Sequence, residues 1–139
     1  MFNPSRDQAR QFLIDAWRKR RESLPATPME TLAADLIDLH PEYHALLEAE
    51  DGLTREWTPE QGETNPFLHL SLHLAIEEQL SIDQPPGIRA AFEQLCATRD
   101  RHVALHGILE CLGEAMWRAQ RDRAMPDGEA YLDCIRRHI

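Results

Sequence analysis

No run of 18 apolar residues occurs in this 139-residue chain, and a helical span of a bilayer needs about 20, so no membrane-spanning helix is expected. The sequence also lacks a phosphate-binding G-x-x-x-x-G-K loop, a G-x-G-x-x-G turn and a G-x-S-x-G elbow. Their absence removes the sequence grounds for nucleotide binding and for serine-hydrolase chemistry. Cysteines are few and odd in number, and Cys96, Cys111 and Cys134 form no C-x-x-C pair. Neither a disulfide framework nor a zinc knuckle is expected from them, and they read as idle thiols. Basic residues are outnumbered, 15 against 24 acidic ones, for a formal charge of -9. A phosphate backbone would be repelled, so nucleic acid is not an expected partner. The single basic cluster, Arg18 to Arg21, closes the first expected helix, where cations meet the negative end of the helix dipole. The opening residues carry no basic-then-apolar signal pattern, and the expectation is a cytoplasmic chain.

What the sequence does have is regular helix punctuation. Its nine prolines fall at or near helix boundaries. Asn3-Pro4-Ser5 opens a helix to about Arg21, with Phe12, Leu13, Ala16 and Trp17 on one face. Thr27 and Glu30 have capping-box spacing with Pro28 at the first helical position, and Met29, Leu32, Ala33, Leu36 and Ile37 form the apolar stripe behind them. Pro41 ends that helix and starts a short one carrying Tyr43, His44, Leu46 and Leu47. Asn65-Pro66 starts a strong helix to about Leu80, and further helices are expected over 88–97, 102–123 and 131–137, the first two separable or one bent element. Apolar alternation over Leu68 to Leu74 sits inside a longer helical pattern, so no strand is expected. The fold class is therefore all-α, a single-domain helical bundle of about five to seven helices over residues 1–139. An irregular loop is expected at 49–64 and a proline-rich turn at 81–87.

Histidine carries the chemical signal. Six of the seven histidines fall into three H-x-x-x-H pairs: His40 with His44, His69 with His73, and His102 with His106. Chance placement would give roughly a third of one such pair, so the spacing requires a cause. Residues i and i+4 sit about 40° apart around a helix and roughly 6 Å apart along it, which lets two imidazoles converge on one ion. Two pairs continue to a glutamate four residues on, giving His69, His73, Glu77 and His102, His106, Glu110. Imidazole with carboxylate suits iron or zinc, then nickel or manganese, whereas calcium and magnesium prefer oxygen alone. On the 67–80 helix the stripe points away from Ser71, Ala75, Glu78 and Gln79 and so faces inward. On the 102–123 helix it lies at the boundary of the apolar face. Pro41 interrupts the helix that a His40–His44 pair would need, so His44 alone is taken as a further ligand and the role of His40 stays open.

Several segments also resemble a known family. The opening Met1-Phe2-Asn3-Pro4-Ser5-Arg6, the segment His40-Pro41-Glu42-Tyr43-His44, the block from Thr64 through Ile88-Arg89, and Glu110-Cys111-Leu112-Gly113-Glu114 resemble an uncharacterised proteobacterial family, domain of unknown function 1841. The resemblance covers nearly the whole chain and implies a small bacterial cytoplasmic protein, with no assigned activity, substrate or catalytic residue. A looser likeness of pattern is to haemerythrin-like and DinB-like helical bundles, whose histidines and carboxylates bind iron, nickel or zinc. Haemerythrin's ligand spacings are not reproduced here.

The functional expectation is a cytosolic helical metalloprotein with a mononuclear or dinuclear centre built by His44, His69, His73, Glu77, His102, His106 and Glu110. Redox chemistry, oxygen or metal sensing, and metal-assisted hydrolysis all fit such ligands, and whether the chain is an enzyme stays open. The alternative is a metal-free protein–protein adaptor whose histidines form a hydrogen-bond network. In that reading the 49–64 loop with Trp57 and the Ser81 to Arg89 turn form the recognition surface.

Overall fold

The computed structural model describes residues 6–51 and 65–139. Its elements there are α1 (Arg6–Arg21), α2 (Pro28–Asp38), a 3-10 turn (Pro41–Tyr43), α3 (His44–Glu48), α4 (Pro66–Ile82), α5 (Ile88–Cys96), α6 (Arg101–Asp122) and α7 (Gly128–Arg137). No strand occurs among the described residues, and the fold is all-α. The helix opening at Asn3-Pro4-Ser5, Trp57 and most of the 49–64 loop lie outside the described residues. The chain forms two compact units, Met1–Leu74 and Ala75–Ile139.

In the first unit α1 packs on α2 and α3. Leu13, Ala16 and Trp17 of α1 lie at helical spacing and meet Ala33 and Ile37 of α2, Leu47 of α3, and Phe67 and Leu70 of α4 in one buried cluster. The capping box forms as the spacing predicts: the Glu30 N–H donates to Thr27 Oγ1 at 3.1 Å, and the Thr27 N–H donates to Glu30 Oε1 at 2.9 Å. The second carboxylate oxygen of Glu30 accepts from Lys19 Nζ at 2.7 Å. That ammonium, helped by the Thr27 N–H, holds the Glu30 carboxyl below its ordinary value. Because buried Glu30 takes the inward position of this first turn, Met29 is turned out, 51% exposed, and leaves the expected apolar stripe. The basic end of α1 is likewise more than a solvated terminus. Arg20 reaches Asp35 at 2.7 Å and Asp38 at 2.9 Å on α2.

In the second unit α5 packs on α6 and α7, and α6 packs on α7. The 88–123 segment is two helices, because the Asp100 side chain accepts the Val103 N–H at 3.0 Å and starts α6 afresh. Asp127 caps α7 in the same way. In the proline-rich turn Gly87 has φ +102°, a left-handed conformation that an L side chain rarely adopts. The Asp83 carboxylate accepts the N–H groups of Arg89 and Gly87, which hold it below its ordinary value.

One expectation is overturned in this unit. Cys111 of α6 and Cys134 of α7 form a disulfide, and only Cys96 is a free thiol. The packing of α6 on α7 brings the two Cα atoms to 5.8 Å across a sequence separation of 23. Closing a loop of that length constrains the unfolded chain by about 3 kcal/mol in the chain-entropy model.

Candidate metal centre

The end of α2 explains both histidines of the first pair. The last carbonyls of a helix lack the usual i+4 donor; those of Leu36 and Ile37 accept the Leu39 and His40 N–H groups and keep a lone pair for a side-chain donor. His40 Nδ1 stands 2.7 Å from the Leu36 carbonyl oxygen, and His44 Nε2 stands 2.9 Å from that of Ile37. A carbonyl only accepts, so each of these nitrogens carries the hydrogen. Pro41 sets His40 in a non-helical conformation, φ -127° and ψ 66°, as its position before proline predicts. The turn that follows places His40 in the interior, 1% exposed.

His40 there meets the His69–His73 pair of α4. Ring nitrogens of His40, His69 and His73 all lie within 4.8 Å of one another. The ring centroids of His40 stand 4.9 Å from His69 and 4.8 Å from His73, and those of His69 and His73 stand 4.9 Å apart. His73 is fully buried and His69 is half-buried. The Nε2 atoms of His40 and His69 are 3.2 Å apart. An edge of a tetrahedron with metal–nitrogen bonds of 2.0–2.1 Å measures about 3.3 Å, so these two nitrogens already have the spacing of two ligands. Three convergent imidazoles could hold a metal ion.

The Leu36 carbonyl fixes which nitrogen of His40 is available. With Nδ1–H donated to Leu36, the neutral ring presents a lone pair at Nε2, directed at the cluster. Metal-bound histidines are commonly oriented by such a backbone carbonyl. With no ion present and both rings neutral, His69 Nε2–H donates to His40 Nε2, and His69 must shift its hydrogen to Nδ1 before its Nε2 can bind a metal. Tyr43 stacks on His40 with 5.4 Å between ring centroids. Burial first, and the neighbouring Glu42 charge second, push the Tyr43 phenol above its ordinary value, so it remains protonated beside the cluster.

The other sequence candidates are placed as follows. His44 is not in the cluster: besides its bond to Ile37, its ring stacks on Trp17 at 4.3 Å. Glu77 accepts both 2.8 Å and 3.0 Å bonds from Arg101 Nη2, so its carboxylate is engaged by a guanidinium. In the second unit the rings of His102 and His106 lie 4.2 Å apart, both half-buried, while Glu110 is exposed. At i+8 each glutamate stands off the first histidine of its stripe, although Glu110 still borders one cleft with His106. Each i+4 step advances about 40°, so a residue at i+8 is about 80° around the helix from the first histidine and about 12 Å along it. His40 was the residue left open by the sequence, and the signal that finds it is its place just before Pro41 at the end of α2, where its ring reaches back to the Leu36 carbonyl.

Comparison with known proteins gives one match. The family model described as a domain of unknown function, DUF1841, matches residues 5–137. No curated protein and no solved structure matches the chain.

Proposed function

We propose that this chain, which belongs to the family of the domain of unknown function 1841, is a metal-binding protein whose centre in the first unit uses His40, His69 and His73. The observation that carries the reading is the convergence of three ring nitrogens within 4.8 Å, one of them already oriented by a backbone carbonyl. An all-imidazole set suits zinc. Non-haem iron sites of the two-histidine type add a carboxylate, and Glu77 is engaged by Arg101. Three histidines on a zinc-class ion leave a fourth coordination position for a further ligand.

A second reading draws on the 3.2 Å contact between His40 and His69. That contact equally suits a hydrogen-bonded core without an ion, in a protein whose role is to bind another protein. The two readings separate on thermal unfolding of untagged, metal-stripped protein with its disulfide intact. A ligand that binds only the folded state at a hundred times its Kd stabilises it by about 2.7 kcal/mol. At this chain length that is a rise in Tm of about 8 °C or more. Zinc is expected to produce this rise and magnesium is not. Identical Tm values with and without each ion would support the hydrogen-bonded core.

A further inference from the structure

A second cluster lies wholly within the second unit. The sulfurs of Cys111 and Cys134 and a ring nitrogen of His138 all stand within 4.8 Å of one another. We propose that reducing the Cys111–Cys134 disulfide creates a zinc-class site from these two cysteines and His138, and that oxidation expels the ion. This goes beyond the three-histidine centre and does not depend on it.

The spacing on α7 is that of a chelate. His138 follows Cys134 by four residues at the end of that helix, so both side chains can project to one side. His138 is also well placed against α6. A Cβ at Gly107 would stand 3.8 Å from His138 Nδ1, and Arg99 Nη2 donates to the His138 carbonyl oxygen. On α6, Glu114 follows Cys111 by three residues, and its Oε2 lies 3.9 Å from Cys134 Sγ. Its other oxygen, Oε1, pairs with Arg118 Nη2 at 2.7 Å, so the two cysteines and His138 are the ligand set and the fourth position of a tetrahedral ion is left to water. Two thiolates and an imidazole select soft or borderline ions such as zinc, and a disulfide sulfur is no ligand for them, so oxidation leaves His138 without its two partners.

The bond can be reached and α7 does not need it to stay in place. Cys111 and Cys134 border a cleft of about 360 Å³, with Arg118 and Arg137 also along its wall. Cys134 is half-buried while Cys111 is 1% exposed, so an external thiolate meets Cys134 first. That attack forms a mixed disulfide on Cys134 and releases Cys111 as a thiolate. A second external thiolate then attacks the external sulfur, releasing Cys134 and one external disulfide. Two electrons pass from the two external thiols to the two protein sulfurs. Buried Tyr131, Leu132 and Ile135 and the Asp127 cap hold α7 independently of the covalent bond. The Tyr131 hydroxyl donates to Gln79 Oε1 at 2.7 Å. The freed thiols therefore stay opposed.

Cobalt(II) titration tests this on untagged full-length C96S protein, which removes the remaining thiol. After reduction with a phosphine, cobalt is expected to give a thiolate-to-metal charge-transfer band in the near ultraviolet that is complete within two added ions per chain. Histidine-only coordination produces no such band, so the readout is separate from the first unit's centre. Oxidised protein should lack the band, and Cys134→Ser should lose at least half its intensity. His138→Ala should keep its helical circular dichroism and bind cobalt at least about tenfold more weakly. Reduced protein without the band, or His138→Ala with undiminished cobalt affinity, would overturn the proposal.

Discussion

His73→Ala protein is expected to bind zinc about a hundredfold or more weakly than the parent chain, with its helical circular dichroism retained. His73 is fully buried, and its ring stands within 5 Å of both partner rings, centroid to centroid. Truncating it leaves two imidazoles where three converge. Removing only an outer partner of a metal ligand costs ten- to a hundredfold in affinity, so removing a ligand reaches the top of that range or passes it. His44→Ala is the matched control. It deletes the bond to Ile37 and the stack on Trp17 but no member of the cluster. Its cost should fall on stability, about 1 kcal/mol, with zinc affinity changed less than twofold. Competition titration with a chromophoric chelator measures both, and an equal loss in the two variants would contradict the assignment.

Ile37→Ala is the second large effect, this time on stability. Ile37 has no exposed surface and sits in the cluster formed by Leu13, Ala16, Trp17, Leu47, Phe67 and Leu70. Replacing a buried isoleucine by alanine loses its transfer free energy and leaves a cavity, which together cost about 2–5 kcal/mol. Met29→Ala, about two turns earlier on α2 but half-exposed, should stay within about 0.5 kcal/mol of the parent. Urea unfolding reads the contrast as a lowered midpoint at unchanged slope for Ile37→Ala alone. Equal shifts for the two variants would mean that α2 presents a different face to the core.

Much of the helix layout was legible because it is written locally. Thr27-Pro28-Met29-Glu30 specifies a helix start within four residues, and Asn65-Pro66 specifies another, where Asn65 Oδ1 accepts the Phe67 N–H at 3.0 Å. The break before α6 stayed open in the sequence, and the Asp100 cap on the Val103 N–H decides it. The inward aim of His69 and His73 was legible for the same reason, since a face of a helix is fixed by spacing alone. His40 was not, because its approach to α4 depends on a turn through Pro41 that no periodicity describes. His44 was read as a ligand because its use by the Ile37 carbonyl and Trp17 is tertiary. The disulfide was hidden more deeply. Cys111 lies eleven residues before the end of α6 and Cys134 six residues into α7, so an evenly aligned hairpin would not pair them. Only the actual crossing of the two helices does.

The central claim is tested most directly by elemental analysis with plasma mass spectrometry on untagged protein carrying an intact disulfide, purified without chelator. Omitting a histidine tag keeps the count to the chain's own ligands. About one equivalent of zinc or iron per chain, lost in His73→Ala and kept in His44→Ala, is the result this account predicts. A chain free of transition metal, both as purified and after reconstitution with zinc and with iron(II), would contradict it and leave the three imidazoles as a hydrogen-bonded core.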